Sequence, residues 1–509
     1  MFFIAVFILA VCLAVISYTL TTLNNLPAPD FPAIPPWQTL YDIVAGLSRA
    51  ESYDRRIRPI IEKHGAVNLW HAGRWVVLVA RPELVTQVFR NDEIFIKGGN
   101  IQKIPYSAFA RIFGVNIIDS HGPLHDSFTE IIKPSLQRRF DLDPLRSSSK
   151  QLAQSLLLQQ GCQPGSGVEI QHLTLDWAIE VFAESFLDLS PDRIAEHRPG
   201  VHEAMHRFVS GVSTKLQALV YSVFPGLERW PWLMPSGDYG IRIVDTLEAR
   251  IRNLAEIASQ DPSPAAPHQP SHYDNEKLVH RLRRALERGD ISEDHFRGNL
   301  NQLFIAAVEN IDIVLNSAMW ELEKNPTLQD RLRQEVLALL PANQQAGYAE
   351  SELDALPLLT ATVYEALRLY PPLINLINRS TTEPVCLGSA SNRPLPTGTW
   401  VGWHAYGTHT DPGVWGPSAR EFDPDRWGSD PVSIRNTFRS MQVKGKYLPF
   451  TTHARRCLAS KFAITVLKIA LCEMLVAVEW QRDPEYKFEL VKVGLRPGFG
   501  PERWLLSIV

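Results

Sequence analysis

The sequence predicts a mainly α-helical fold with a smaller β-rich region (α+β), and three observations support this class. Residues 65–90 contain two strand-like stretches, AVNLW and WVVLVA, joined by the turn HAGR and followed by a short helical pattern. From about residue 120 to 375 most apolar residues recur at helical spacing. Beyond 375 short strand-like pieces return among many Pro and Gly. Strands at both ends therefore enclose one helix-rich domain.

The strongest helical pattern covers residues 298–324, where apolar residues follow the i, i+3, i+4, i+7 rule without a break. The other side is small and polar, and it carries Gln302, Ala306, Glu309, Asn310 and Asn316. Such a helix either crosses a core beside a polar cavity or lies on the surface with a solvated face. Periodicity alone favours the surface helix.

Composition narrows the functional class. Apolar residues make up 45% and charged residues 21% of the 509-residue chain, which suits a protein with a sizeable core. A formal net charge of −4 gives no reason to expect a nucleic-acid partner. The five cysteines are far apart and odd in number, which favours a reducing compartment over a disulfide framework.

The N-terminus predicts a membrane anchor at residues 1–22. No charged side chain precedes Asp30, and about 20 helical residues cross about 30 Å of hydrocarbon. A cleaved signal peptide usually has a basic start and a shorter apolar stretch, so a retained anchor is favoured. Five prolines between Pro27 and Pro36 predict a stiff, extended hinge at 23–37. Residues 38–509 then form the globular domain.

Cys457 lies in the stretch PFTTHARRCLAS, residues 449–460. A lone cysteine is most often a small core residue. Here Arg455 and Arg456 supply positive charge, which favours the thiolate over the thiol. A helix is predicted to begin just after the cysteine, with Ser460 as its cap, so that backbone N–H groups face the sulfur.

Two further motifs carry paired charges. Glu365 and Arg368 lie three residues apart on a helix that must end before Pro371 and Pro372. Arg426 belongs to the stretch EFDPDRW. Taken alone, Glu365-x-x-Arg368 is usually an exposed ion pair of little energetic value, and the stretch around Arg426 also indicates little.

Together these motifs resemble the cytochrome P450 family over essentially the whole chain. The resemblance rests on the order and spacing of the helix 298–324, Glu365-x-x-Arg368, Phe422…Arg426 and Phe450…Arg455-x-Cys457. It implies one triangular, mostly helical domain with a smaller β-rich region. It also implies a haem b cofactor whose iron is axially ligated by Cys457, and a thiolate axial ligand favours O–O cleavage.

The resemblance assigns roles to further residues. Glu365, Arg368 and Arg426 would form a buried triad that retains haem and stabilises the structure, without acid–base work. Phe450 would pack beneath the haem. The expected partners of the haem propionates are Arg455, Arg379 and His125, the last of these standing where many members have tryptophan. Thr129 replaces the basic residue usual four positions later and cannot supply its charge.

The chain departs from the family pattern around the ligand and in the long helix. His453 and Ala459 replace glycines, and histidine tolerates the left-handed conformation better than most residues. In the long helix the usual acid–threonine pair is Glu309–Asn310, the two candidate catalytic residues. An amide donates hydrogen bonds but does not relay a proton as a hydroxyl does. Asn310 is therefore either a neutral variation or a sign of dehydrogenation, oxidative ring closure or coupling.

The function implied by the resemblance is that of a haem-thiolate monooxygenase using O₂ and NADPH. It would oxidise a hydrophobic small molecule in natural-product biosynthesis, as fungal members do, with pocket segments near 100–118, 205–225, 302–310 and 373–378. A single-pass anchor would hold it in the lipid of the endoplasmic reticulum membrane, with the domain in the cytosol.

NADPH–cytochrome P450 reductase is the expected electron donor. Four basic residues near the ligand loop could form the surface on which the reductase docks: Lys444, Lys446, Arg456 and Lys461. The alternative is that these residues are an ordinary solvated basic surface. Two alternatives remain open at this point: a reductase-independent haem-thiolate isomerase or dehydratase, which the missing threonine favours, and a non-catalytic haem protein.

Overall fold

Helices dominate the structure, which is a computed structural model. It describes residues 26–508 apart from 48, 163–166, 213–220, 224, 231–234, 261–275, 340–346, 390 and 484–504. The α-helices span Pro36–Ala45, Arg49–Ser52, Arg58–His64, Pro82–Arg90, Asn100–Lys103, Ala108–Phe113, Gly122–Gln137, Leu142–Cys162, Ile170–Phe186, Pro191–Val212, Pro235–Gln260, Leu278–Glu287, Glu293–Lys324, Pro326–Leu339, Glu350–Asp354, Pro357–Leu369, Ala405–His409, Pro412–Trp415, Pro431–Val443 and Ser460–Ala477. The predicted anchor at 1–22 lies outside the described residues.

The strands form two small sheets. They are β1 (Ala33–Ile34), β2 (Ala66–His71), β3 (Arg74–Val79), β4 (Phe95–Lys97), β5 (Val168–Glu169), β6 (Asn375–Thr381), β7 (Trp400–His404), β8 (Trp480–Arg482) and β9 (Leu505–Ile508). The larger sheet has the order β1-β2-β3-β7-β6-β4, and the smaller one has the order β5-β9-β8. Strands far apart in sequence therefore meet, β3 with β7 and β4 with β6.

The hairpin predicted at 65–80 is confirmed. Strands β2 and β3 pair antiparallel, and His71 lies opposite Arg74. The two turn residues, Ala72 and Gly73, have φ angles of 50° and 73°. Two consecutive positive φ angles match the right-handed twist of a two-residue hairpin. A short helix, Pro82–Arg90, follows as expected.

The proline-rich segment packs on the domain. Ala28 and Phe31 are buried, and the Asn68 side-chain amide donates to both of their carbonyl oxygens at 2.7 and 2.8 Å. β1 pairs with β2, and a helix begins at Pro36. Apolar side chains between the prolines thus hold the described residues of this segment against the sheet, while Ala33–Ile34 have the extended backbone that the prolines predict.

The long helix runs from Glu293 to Lys324, five residues longer at its start than the apolar pattern predicted. Ser292 caps it, since its Oγ accepts a 3.2 Å hydrogen bond from the backbone N–H of His295. Of the residues that the structure describes, this helix alone is long and apolar enough to cross a bilayer. Most of it is buried inside the protein, so it is a core helix.

Candidate active site

A cavity of about 790 Å³ lies between the long helix and the Cys457 loop. The helix contributes Gln302, Leu303, Ala306, Ala307, Glu309 and Asn310, and the loop contributes Phe450, Arg455 and Cys457. The small, polar side of the long helix thus faces a cavity, which excludes the surface-helix alternative. Asn316, two turns beyond Glu309, does not line the cavity, and its amide donates to Thr174 Oγ1 and to Asp312 instead.

Backbone hydrogen bonds fix the loop around Cys457. The Cys457 N–H donates to the Phe450 carbonyl at 2.9 Å, which closes the loop on itself. His453 has a φ of 56°, so it adopts the left-handed conformation expected for a residue replacing glycine. Ala459 has a φ of −95°, which any residue adopts. Histidine tolerates the first of these conformations and alanine the second.

The helix after the cysteine begins at Ser460, so Ser460 is its first helical residue. The prediction that Ser460 caps this helix was wrong: Ala459 occupies the cap position, and no side chain accepts there. The backbone of Ala459, the residue before the helix, lowers the pKa of the Cys457 thiol.

The Cys457 side chain is accessible from the cavity but enclosed deep in the protein. Burial raises the pKa of the thiol, while the Ala459 N–H and Arg456 act in the opposite direction. Arg455 points elsewhere, because its Nη2 donates to the carbonyls of Ile117, Ile118 and Ser120 at 3.3, 3.2 and 2.7 Å. The expectation that both arginines promote the thiolate was therefore wrong. Coordination to a metal ion would deprotonate this thiol outright.

Glu365, Arg368 and Arg426 form one buried cluster. Glu365 Oε1 accepts from Arg368 Nη2 at 2.7 Å and from Arg426 Nε at 2.8 Å. Glu365 Oε2 accepts from Arg368 Nε at 2.8 Å and from Trp427 Nε1 at 3.0 Å. Both Glu365 and Arg368 are 0% exposed. The three side chains thus form the triad that the resemblance implied, and no part of it lines the cavity.

Positive charge collects at one edge of the cavity. Lys97 on β4 lies directly opposite Arg379 on β6, and like charges directly opposite each other destabilise a strand pair. Arg379 Nη1 donates to Asp92 at 2.6 Å, but its buried Nε and Nη2 atoms have no partner among the described residues. Lys97 is 4% exposed, and its Nζ donates to Asn378 Oδ1 at 2.9 Å. Burial, with Arg379 and Arg455 nearby, lowers its pKa well below the ordinary value.

His125 lines the same cavity on the helix Gly122–Gln137. Burial and the charge of Arg455 lower its pKa, so the imidazole is neutral at neutral pH. Its Nε2 lies 3.4 Å from Thr129 Oγ1. A neutral imidazole can still donate one hydrogen bond to an anion.

These residues fit a planar prosthetic group that carries carboxylates. A cysteine sulfur opens into the cavity, and Lys97 and Arg455 line it. Arg379 is not a lining residue, but it lies opposite Lys97 in the sheet, and its buried Nε and Nη2 have no partner among the described residues. Fork-like guanidinium donors suit carboxylates. Cys457 would hold the metal, and Arg455, Arg379 and Lys97 would hold the carboxylates.

Comparison with known proteins identifies the class. The family model described as Cytochrome P450 matches residues 32–498, so the chain belongs to the cytochrome P450 family. Its members bind haem through a cysteine thiolate and are oxidoreductases of the monooxygenase type.

Individual relatives agree with this assignment. A cytochrome P450 monooxygenase named xanG, from Aspergillus fumigatus, is 38% identical over 471 residues, which cover 91% of this chain and 85% of the relative. Cytochrome P450-DIT2 from Saccharomyces cerevisiae is 30% identical over 474 residues, which cover 92% of this chain and 91% of the relative. A taurochenodeoxycholic 6 alpha-hydroxylase from Sus scrofa is 29% identical over 200 residues, 39% of this chain and 37% of the relative.

The sequence reasoning missed Lys97 and Lys103, although both line the cavity. Lys97 belongs to a three-residue strand and Lys103 to a four-residue helix, and such short elements have no periodic pattern. All four predicted pocket segments do contribute lining residues, among them Asn100, Phe208, Gln302 and Leu376.

Proposed function

We propose that this protein is a haem-thiolate monooxygenase that oxidises a hydrophobic small molecule in fungal natural-product biosynthesis. The observation that carries the proposal is that Cys457 and the pair Glu309–Asn310 face one cavity from opposite elements. Haem bound to the thiolate supplies the chemistry of O₂ activation. Two relatives that align over more than nine-tenths of the chain, xanG and DIT2, are fungal, which supports the biosynthetic assignment.

Glu309 and Asn310 are the proposed catalytic residues. A carboxyl group at this place can take a proton from solvent and pass it into the cavity, whereas Asn310 can only donate an amide hydrogen bond. Asn310 holds a partner in position but leaves proton delivery to Glu309, water or a substrate hydroxyl. The proposed reaction is therefore a hydroxylation or an oxidation that depends less on proton delivery, such as dehydrogenation or ring closure.

The wall of the cavity favours a hydrophobic substrate. Phe109, Phe113, Phe208, Leu303 and Ile374 all line it. A pocket of this size buries most of a drug-sized molecule and takes specificity from a few polar groups.

Membrane attachment and electron supply complete the proposal. The apolar residues 1–22 anchor the chain in the endoplasmic reticulum membrane, with the domain in the cytosol, and NADPH–cytochrome P450 reductase delivers electrons. Of the proposed docking residues, Lys444, Arg456 and Lys461 are exposed, and Lys461 lies 3.0 Å from Glu350. Exposed basic residues around the ligand loop suit an acidic partner surface.

The test is the carbon monoxide difference spectrum of the full chain in membranes, reduced by NADPH and reductase or by dithionite. A thiolate-type Soret band under NADPH, lost in Cys457→Ser, is the expected result. A band with dithionite alone would favour the reductase-independent isomerase. Absence of a thiolate band under both reductants would overturn the proposal.

A further inference from the structure

Lys103 places an ammonium group on the cavity wall without an ion-pair partner. It ends the helix Asn100–Lys103, is 7% exposed, and its Nζ donates to the Ile377 carbonyl at 2.6 Å. Nζ also lies 5.2 Å from the centre of the Trp400 ring. No Asp or Glu of the described chain lies within 4.0 Å of it. An ammonium has three donors, so two remain for a ligand.

Lys103 is not among the residues assigned above to the haem carboxylates. Its Nζ donates to the Ile377 carbonyl, whereas the Lys97 Nζ donates to the side chain of Asn378, the next residue of β6. Besides burial, Arg379 and Arg455 lower the pKa of Lys97 and Arg74 lowers that of Lys103, while Asp119 raises both. Asp119 forms no ion pair with Lys103, and its carboxylate accepts from the Asn116 amide at 3.4 Å. The Lys103 ammonium therefore remains available to an anion other than those that Lys97 and Arg455 would bind.

The charge persists despite burial. Burial lowers the pKa of Lys103 to about 8, so most of the amine is protonated at pH 7. A buried charge without a partner is costly, and a Met or Leu of similar size would fill the space without that cost. A ligand that brings its own negative charge gives this lysine a function.

An aromatic wall connects the Lys103 end to the long helix. Tyr221 Oη donates to Asn100 Oδ1 at 3.4 Å, and the Tyr221 ring contacts Phe109 at 5.1 Å between centres. Phe109 in turn contacts Phe113 and Phe208 at 6.1 and 6.3 Å, and all four rings line the cavity. The helix that carries Phe109 and Phe113 is bound to the long helix, since the Asn301 amide donates to the Ile112 carbonyl at 3.1 Å.

We infer that the substrate is a hydrophobic carboxylic acid whose carboxylate binds Lys103 and whose apolar body lies along this aromatic wall. The inference rests on the proposed function, because it concerns the substrate of the same site. It restricts the substrate class: of two molecules of equal shape, the one with the anionic end binds better.

The experiment compares ω-phenylalkanoic acids of several chain lengths with their primary amides, titrated into the haem-bound full chain at pH 7. Binding is followed by the shift of the haem Soret band and by calorimetry. We expect at least one acid to bind about tenfold more tightly than its amide, the usual magnitude for a charged hydrogen bond. Lys103→Gln should abolish this preference, and Lys103→Arg should keep most of it. Lys63→Gln, at an exposed lysine outside the cavity, is the matched control.

Equal binding of every acid and its amide to the wild-type chain would overturn the inference without any variant. A preference that survives in Lys103→Gln would also overturn it, because another group would then bind the carboxylate. In both cases a normal thiolate Soret band leaves the proposed function standing. Loss of that band in the wild-type chain would instead remove the proposed function itself.

Discussion

Arg426 Nε donates a 2.8 Å hydrogen bond to Glu365 Oε1, the same oxygen that accepts from Arg368. Arg368 also binds the loop that precedes Arg426, since its Nη1 donates to the His409 and Ala419 carbonyls. One buried carboxylate therefore connects the helix Pro357–Leu369 to residues 409–427. Its negative charge is what keeps two guanidinium groups acceptable inside the protein.

Replacing Glu365 with Gln should lower the free energy of unfolding by about 3–5 kcal/mol, the usual result of removing one partner of a buried ion pair. The amide keeps the shape but leaves the buried Arg368 without a counter-charge, and Arg426 with only Asp423 at 3.8 Å. Denaturant unfolding and haem content per protein measure the effect. Glu383→Gln, at an exposed site, is the control and should change stability by less than about 0.5 kcal/mol. If Glu365→Gln is equally mild, the triad has no structural role.

The left-handed conformation of His453 gives a second prediction. Glycine adopts a φ of 56° without strain, whereas a β-branched residue is strongly disfavoured there. His453→Gly should match or exceed the wild-type stability, and His453→Val should lose about 1–3 kcal/mol. Melting temperatures of the haem-bound proteins are the measurement. A valine variant as stable as the glycine variant would mean that the loop does not need this conformation.

The fold was predictable where a local pattern identifies the element. The hairpin β2–β3 consists of two apolar runs joined by the short turn HAGR, and the helix 298–324 follows period 3.6, so both were found at nearly the right bounds. The first turn of that helix, at 293–297, was missed because it is polar and only Ser292 marks its start. The packing of Ala28 and Phe31 was missed because prolines predict an extended backbone but do not indicate which part of the domain the segment contacts.

The candidate site was predictable only where a motif carries it. Cys457, Glu365, Arg368 and Arg426 belong to motifs with fixed spacing, and the structure brings the last three together. Lys97 belongs to none: it meets Arg379 only because β4 pairs with β6 across more than 280 residues. Strand pairs so far apart in sequence depend on the whole fold, and no local sequence pattern predicts them.

Lys97 should matter for haem retention. Lys97→Gln keeps a hydrogen-bonding side chain but removes the buried charge opposite Arg379, so a haem carboxylate would lose a charged partner. We expect haem to transfer to apomyoglobin about tenfold faster than from the wild-type protein. Arg393→Gln, an exposed arginine, is the control and should leave the transfer rate unchanged. An unchanged rate in Lys97→Gln would exclude Lys97 from the haem site.

Variants of Glu309 and Asn310 should show which residue delivers protons and which only holds a group in position. Glu309→Gln should lower kcat by about 10²-fold, since positioned acids contribute at least that much. Asn310→Thr restores a hydroxyl and should raise the fraction of NADPH that ends in product. The measurement is product and hydrogen peroxide formed per NADPH consumed. Unchanged coupling in Asn310→Thr would make Asn310 a neutral variation.

Lys103 should make stability depend on pH in a direction that can be predicted. Its pKa in the folded protein is about 8, below the ordinary 10.5, so the folded state binds fewer protons between these values. Stability should therefore rise with pH from about 8 to 10.5, and the penalty is complete below pH 8.

Lys103→Met removes that penalty. At pH 7 we expect a gain of about 2 kcal/mol, because relief of about 3 kcal/mol is offset by about 1 kcal/mol for the lost hydrogen bond to the Ile377 carbonyl. Denaturant unfolding of the haem-bound, substrate-free protein at pH 7, 8.5 and 10 measures the difference, with Lys63→Met as control. The variant should gain less over the wild-type chain as the pH rises. A gain that is absent at pH 7 would show that the chain already neutralises Lys103, and no substrate anion would then be needed to explain it.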